Sequence, residues 1–435
     1  MTGVQTCALP IYRGAGRPEA TYAIERAMES LAREVGVDSA AIRRRNYIPS
    51  DRFPYDASSG LTFDSGNYEP TLDRALELVD HDGRRAEQQR RRDAGDTKHL
   101  GIGIATYVEM CGLAPSRVLA SLNYAAGGWE AATVRVLPTG TVQVVSGTTP
   151  HGQGHETCWS QIVADKLGVD PDSVEVLHSD TAVSPIGMDT YGSRSLPVGG
   201  VAVGMASDQV LEKARRIAAH QLECAEDDLE LVDGELRVKG TPTKAMTLQA
   251  VAFEAFSAHD LPDGMEPNLV GQVTYDPPNF VFPFGTHVAV VEIDEETGGI
   301  ELLDYAAVDD CGVQVNPMIV EGQLHGGIVQ GAAQALWEEA MYDDDGLLRN
   351  PTLTDYGVPS AAEVPSIKLD HTVTPSPTNP LGVKGIGEAG TIGSTPTVIN
   401  AVVDALAPLG ITDIAMPATP ERVWAAIREA REGQA

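Results

Sequence analysis

A chain of 435 residues, 42% of them apolar, is long enough for two or three domains, each with its own core. Its 62 acidic against 31 basic residues leave a formal charge of −31, which repels polyphosphate backbones and anionic membranes and argues against a nucleic-acid partner. No apolar run reaches the length of about eighteen residues that a membrane span needs, and the N-terminus lacks the basic start and apolar core of a signal peptide, so a cytoplasmic enzyme subunit is the default expectation.

Met1 to Ile11, MTGVQTCALPI, has no periodicity and does not lead into the helix that follows. It reads as a non-native, adapter-derived segment, which makes Tyr12 the first authentic residue; a native terminus is the alternative. Pro18 to Val35 places Tyr22, Ile24, Met28 and Leu31 near helical spacing, with proline at the start and Gly36 past the end, and so predicts an amphipathic helix. Thr71 to Val79 predicts a short helix. The charged stretch Arg84 to Asp96 reads as a linker, with a domain boundary near residue 97.

Beyond it, Ala132 to Val136 and Val142 to Ser146 alternate around Pro138-Thr139-Gly140, and Leu229 to Val232 and Leu236 to Val238 flank Asp233-Gly234; both are hairpin patterns. Val174 to Leu177 is a further strand, and His287 to Ile293 with Gly299 to Val308 forms another hairpin. Helical stretches fall at His155 to Leu167, Ser207 to Leu222, Thr247 to Phe256, Ile319 to Met341 and Thr395 to Leu406, and Thr419-Pro420 caps a last helix. Hairpins and helices without strict strand–helix alternation indicate an α+β fold of mixed sheets with packed helices.

Three glycine-rich segments could carry chemistry. Gly147-Thr-Thr-Pro-His-Gly-Gln-Gly-His-Glu156 leaves a strand and enters a helix, so its N–H groups can converge on an anion; it has neither Walker nor Rossmann spacing. Tyr191-Gly-Ser-Arg-Ser-Leu196 sets two hydroxyls and a guanidinium together, which suits phosphate oxygens, although such a tripeptide also occurs as a solvated loop. Leu381-Gly-Val-Lys-Gly-Ile-Gly-Glu-Ala-Gly-Thr-Ile-Gly-Ser394 places a carboxylate in a glycine-dense apolar loop before a helix. Such a group is fitted to abstract a proton, or else only satisfies the helix dipole.

His151 and His155 lack a third ligand in pattern and read as hydrogen-bonding groups rather than metal ligands. Cys7, Cys111, Cys158, Cys224 and Cys311 have no CxxC spacing and read as reduced, mostly buried thiols, Cys311 without a His or Asn partner for nucleophilic work. Asp343-Asp-Asp-Gly346 fails the calcium-loop pattern and reads as a turn.

Tyr12-Arg-Gly-Ala-Gly-Arg-Pro-Glu-Ala20, His151-Gly-Gln-Gly-His-Glu156, Gly192-Ser-Arg-Ser195, Asn316-Pro-Met-Ile-Val-Glu-Gly-Gln323 and Gly382-Val-Lys-Gly-Ile-Gly-Glu388 stand in one order along nearly the whole chain. That order and spacing resemble the large subunit of the molybdenum-cofactor hydroxylases, the xanthine dehydrogenase, aldehyde oxidase and aerobic carbon monoxide dehydrogenase superfamily. The resemblance implies molybdenum-cofactor-binding domains of the xanthine dehydrogenase type, with residues 12–96 as the remnant of a first and 97–435 as a second, a division of the latter into two subdomains being the alternative.

It further implies that Gly152, Gln153 and Gly154 bind cofactor oxygens, that Ser193, Arg194 and Ser195 meet its phosphates, and that Gln323, Lys384 and Gly385 complete the pocket. Arg13 lies by the molybdenum and Glu388 is the base of a hydroxylation that takes its oxygen from water. Molybdenum is held by the pterin dithiolene, so no protein side chain ligates it. The cofactor is expected to be molybdopterin cytosine dinucleotide. FAD and a 2Fe–2S cluster are expected on partner chains, an FAD-binding medium subunit and an iron–sulfur small subunit.

Carbon monoxide dehydrogenases of the superfamily carry a copper-binding Cys in a YRCSFR pattern where Gly14-Ala15-Gly16 stands here. An aldehyde or an electron-poor N-heterocycle is therefore the expected substrate. The superfamily's large subunits begin several hundred residues earlier, so the chain reads as N-terminally truncated and by itself inactive. The alternative is an inactive paralogue or scaffold fragment; a Cys or Ser hydrolase finds no triad pattern.

Overall fold

The computed structural model describes residues 13–184 and 186–433; Tyr12 and the segment before it lie outside the described residues. Helix α1 (Arg17–Glu34) runs into α2 (Ser39–Asn46), whose Asp38 cap accepts from the Ala40 and Ala41 amides. A two-stranded ribbon, β1 (Tyr55–Asp56) with β2 (Thr62–Phe63), precedes α3 (Glu69–Leu78) and α4 (His81–Ala94).

The stretch read as a linker is thus helical. Its polar residues are tied to distant parts of the chain: Arg85 and Gln88 both donate to Asp404 at 2.7 Å, and Gln88 reaches the Leu100 carbonyl at 2.7 Å.

Two four-stranded sheets organise the rest. The first has the order β13-β12-β11-β3, from β3 (Lys98–Val108), β11 (Phe284–Asp294), β12 (Ile300–Asp310) and β13 (Ile367–His371). Only β12 and β13 run parallel. The second has the order β10-β4-β5-β6, from β4 (Glu130–Val136), β5 (Val142–Ser146), β6 (Val174–Leu177) and β10 (Leu269–Tyr275).

Helices α6 (His155–Leu167), α7 (Val201–Gln221) and α8 (Leu248–Ser257) bury their apolar sides against the second sheet. A small sheet of β7 (Leu229–Val232), β8 (Glu235–Val238) and β9 (Thr241–Thr247) completes that core. The short α5 (Ser116–Ser121) follows β3 in the chain. The expected α+β class holds, and the hairpins fall at the expected turns, with Val136 facing Val142 and Val232 facing Glu235.

Against the first sheet lie α9 (Pro317–Leu336), α10 (Ala389–Leu406) and α11 (Pro420–Glu432). Helix α10 with the turn after it is long and apolar enough to cross a membrane, but 83% of its apolar window is buried as a core helix of this fold. It sits hard on β3: a Cβ on Gly103 would come within 2.1 Å of the Thr397 carbonyl oxygen and 2.3 Å of the Ala401 nitrogen. Gly103→Ala must push the helix off the sheet and is expected to cost about 1–3 kcal/mol by overpacking. A urea unfolding midpoint equal to the parent's would show that α10 can step back without loss.

Helix α1 buries a different side from the expected one. Glu25 and Arg26 are inside, Glu25 paired with the buried Arg43 and Arg26 donating to Asn400 Oδ1 at 2.9 Å, whereas Ile24 and Leu31 remain exposed. Helical spacing alone marks which residues share a side, not which side is covered.

Candidate functional site

Glu388 is the N-cap residue of α10, with Arg17 of α1 and the Gly192-Ser193 loop against it. Each of its oxygens accepts from an N–H group: Oε2 from Arg17 Nη1 at 2.9 Å and Oε1 from the Gly192 amide at 3.0 Å. The Glu388 amide donates to Ser193 Oγ at 3.1 Å. Ser193 itself lies in the left-handed region at φ 52°, uncommon for a side chain with a Cβ, so the loop is bent to present its hydroxyl there.

Arg13 joins the same place. Its Nη2 donates to Gln323 Oε1 at 2.6 Å, and its Nε donates to the Gly387 carbonyl. Burial pulls the Arg13 guanidinium below its ordinary value, while Glu388 and Glu109 oppose that shift. Gln323 stands on α9, which crosses α10 closely because Thr391 Oγ1 donates to the Gly327 carbonyl at 3.0 Å and Thr395 Oγ1 to the Gly331 carbonyl at 3.1 Å. Gly385 permits the closest approach: a Cβ there would meet the Ser193 carbonyl oxygen at 2.0 Å and Cys111 Sγ at 2.5 Å. Arg13, Ser193, Gln323, Gly385 and Glu388, expected together, are together.

The glycine loop before α6 lies toward the start of α9, where Gly154 faces Ile319. Gly152 and Gly154 have φ of 90° and 75°, and no side chain caps α6, so its first N–H groups are not taken by a capping side chain. Gln153 Nε2 donates to the Thr149 carbonyl at 3.2 Å, and its Oε1 accepts from the His151 amide. His155 is buried against the Trp159 ring, and burial pushes its imidazole down to about 4, so it is neutral at physiological pH. Ser195 pairs its hydroxyl with Thr190 Oγ1 at 2.8 Å.

Two expected cofactor contacts face elsewhere. Arg194 is fully buried: Nη1 donates to Glu130 Oε2 at 2.7 Å and to the Asp189 carbonyl at 2.6 Å, and Nη2 to the Gly128 and Trp129 carbonyls at 3.0 and 2.8 Å. Both terminal nitrogens thus serve protein groups rather than a phosphate, and the buried Nε has no partner. Lys384 is also fully buried, its Nζ without a hydrogen-bond partner and 5.1 Å from the Phe284 ring centre. Burial pulls its ammonium below the ordinary value against the opposing charges of Asp64 and Asp310.

Among the described residues no three of His, Cys, Asp and Glu are grouped to hold a metal ion. Cys111 and Cys311 are buried thiols, the latter pushed up to about 12 by burial, which leaves it unreactive as a nucleophile. Arg17, Glu109 and Glu130 were not singled out as site residues from sequence. Arg17 closes the YRGAGR segment, and Glu109 is the lone acid at the end of the apolar run Ile102 to Met110; that isolation was the available signal.

Residues 74–365 match the model of the molybdopterin cofactor-binding domain, and residues 4–47 match a second model of the same description. The chain belongs to this molybdopterin-binding family. It is 43% identical to the carbon monoxide dehydrogenase large chain of Hydrogenophaga pseudoflava, over 94% of this chain and 51% of that one. Among solved structures it superposes on a Cu,Mo-CO dehydrogenase with a TM-score of 0.91 at 39% identity, covering 96% of this chain and 52% of that one.

The quinoline 2-oxidoreductase of Pseudomonas putida 86 gives 0.89 at 39% identity, covering 96% and 53%. This molybdopterin-binding chain spans about half the length of the curated relatives it matches. The resemblance carried by the five motifs is borne out, as is the fold expected from it.

Proposed function

We propose that the chain is the molybdenum-binding part of an oxidoreductase that hydroxylates an aldehyde or an N-heterocycle with water as the oxygen source, Glu388 acting as base. The observation that carries this reading is the convergence of Arg13, Arg17, Gln323 and the Gly192 amide around one oriented carboxylate. The residues present fit a pterin dinucleotide. Gly152 has no atom within 4 Å of where a Cβ would stand, and the start of α6 offers uncapped N–H groups to a pyrophosphate. Gly152, Gln153 and Gly154 would hold oxygens of a molybdopterin cytosine dinucleotide, with Ser193, Ser195, Gln323 and Gly385 around it, while Arg194 and Lys384 brace the walls from inside. When bound, the cofactor supplies the two-electron oxidation.

Glu388 then holds the proton that the reaction releases, its two oxygens steered by Arg17 and Gly192. Arg13 is fixed by Gln323 and the Gly387 carbonyl, so its remaining donors are set to orient a substrate. Gly14 bears on the substrate. At φ 115°, with Pro18 Cδ 2.5 Å from where a Cβ would stand, it has no room for the cysteine of a copper site. Residues 12–96 and 97–435 are proposed as parts of two molybdenum-binding domains; the second family match begins at residue 74, ahead of that boundary. Electrons would pass to an iron–sulfur and an FAD-binding partner subunit.

The test is turnover of the complete gene product with its partners in water enriched in heavy oxygen. The label is expected in the oxidised aldehyde or heterocycle, with no oxidation of carbon monoxide. Label arriving from dioxygen instead, or carbon monoxide as the sole substrate, contradicts the reading.

A further inference from the structure

Glu109 follows β3, where its amide donates to the Pro283 carbonyl at 2.9 Å, and its carboxyl is sealed inside the fold at 1% exposure. Neither of its oxygens has a hydrogen-bond partner of ordinary geometry. A buried carboxylate without donors is costly, and here a second acid, Glu388, lies beside it. Most of the surrounding donors are committed elsewhere. Arg17 spends Nε and Nη2 on the Met110 carbonyl and Nη1 on Glu388 and the Gly14 carbonyl. Arg13 serves Gln323 and Gly387.

Cys111 gives its thiol to the Ser193 carbonyl and Tyr107 gives its hydroxyl to Asp309; the Ser193 hydroxyl accepts from the Glu388 amide and keeps one proton to give, with one oxygen of Glu109 in its reach. Two facing acceptors are satisfied when one of them carries a proton and donates it to the other.

We propose that Glu109 is a positioning residue for the base, a buried carboxylic acid that holds a proton against Glu388 and fixes its carboxylate. The proposal rests on Glu388 being the base. Burial first, and the charge of Glu388 second, push the Glu109 carboxyl up to about 8, with Arg17 opposing. The acid is therefore neutral at pH 7. Above about pH 8 it ionises, sets a second negative charge beside the base and competes for Arg17. The sign for stability follows: the unfolded chain releases this proton near 4.5 and the folded chain near 8, so folding loses this contribution as pH rises across that window.

Difference infrared spectroscopy across pH tests it on the purified protein, without the need for turnover. The carbonyl stretch of a protonated carboxylic acid is expected at pH 7, to vanish with a midpoint near pH 8, and to be absent in the isosteric Glu109→Gln. Glu388→Gln keeps the band but moves its midpoint down by about one unit or more, because a like charge has been removed. In the complete enzyme, Glu109→Gln removes the alkaline limb of kcat/KM. Absence of a band that depends on Glu109, or a midpoint that Glu388→Gln leaves in place, overturns the proposal. A protein that shows the band but does not hydroxylate with oxygen from water would instead overturn the assigned reaction and leave the acid pair standing.

Discussion

Glu388→Gln is expected to lower kcat/KM for hydroxylation by about 10²–10⁴-fold, the usual contribution of a positioned general base. The amide has nearly the shape of the acid, so the variant keeps the contact to Arg17 through its carbonyl oxygen and leaves the glycine loop before α6 untouched. Molybdenum and pterin content should therefore match the parent. This split separates a base from a strut. Were Glu388 only satisfying the helix dipole, its loss would lower stability by a few tenths to about 1 kcal/mol and leave turnover near normal. Steady-state kinetics beside metal analysis on the same preparation decides between the two.

The second large effect lies in the wall of the site. Glu130 and Arg194 are both fully buried, and Glu130 also accepts from the Met188 amide at 3.2 Å. Glu130→Ala leaves an uncompensated guanidinium in the interior and is expected to cost about 3–5 kcal/mol, read as a lowered denaturant midpoint. Arg194→Lys should also destabilise, since one ammonium cannot reach the Gly128, Trp129 and Asp189 carbonyls that the planar fork serves together. The contrary result is informative. If Arg194→Lys unfolds like the parent but loses pterin, Arg194 is the phosphate ligand that its Ser-Arg-Ser setting suggests, and the loop rearranges when the cofactor binds.

Local chemistry decided which parts of this fold could be read from sequence. Asp233-Gly234 and Pro138-Thr139-Gly140 are turn residues whose conformations specify hairpins within a few positions, and both hairpins are found there. Strand β3 escaped because it is buried on both faces and carries Gly101 and Gly103 where α10 presses on it, so it shows no alternation. The beginning of α10 escaped for a related reason. Gly390 and Gly393 depress helix propensity, yet packing against α9 and the His287 ring requires them. The helix α4 was hidden because its stability comes from Asp404 and Glu292, far along the chain, rather than from an apolar side.

The candidate site divides in the same way. Glu388, Arg13, Gln323 and the glycines stand in motifs and were legible through them. The roles of Glu109, Arg17 and Glu130 are written in pairings across 64 to 371 positions, which no local pattern records.

The most direct test of the central claim, that these loops build one molybdopterin site, is to purify the complete gene product from a host that makes the cofactor and to assay metal and released pterin on one sample. The expected result is close to one molybdenum and one pterin dinucleotide per chain, with both lost together when Gly385→Val fills the contact beside Ser193. A well-folded protein that holds neither molybdenum nor pterin would contradict it.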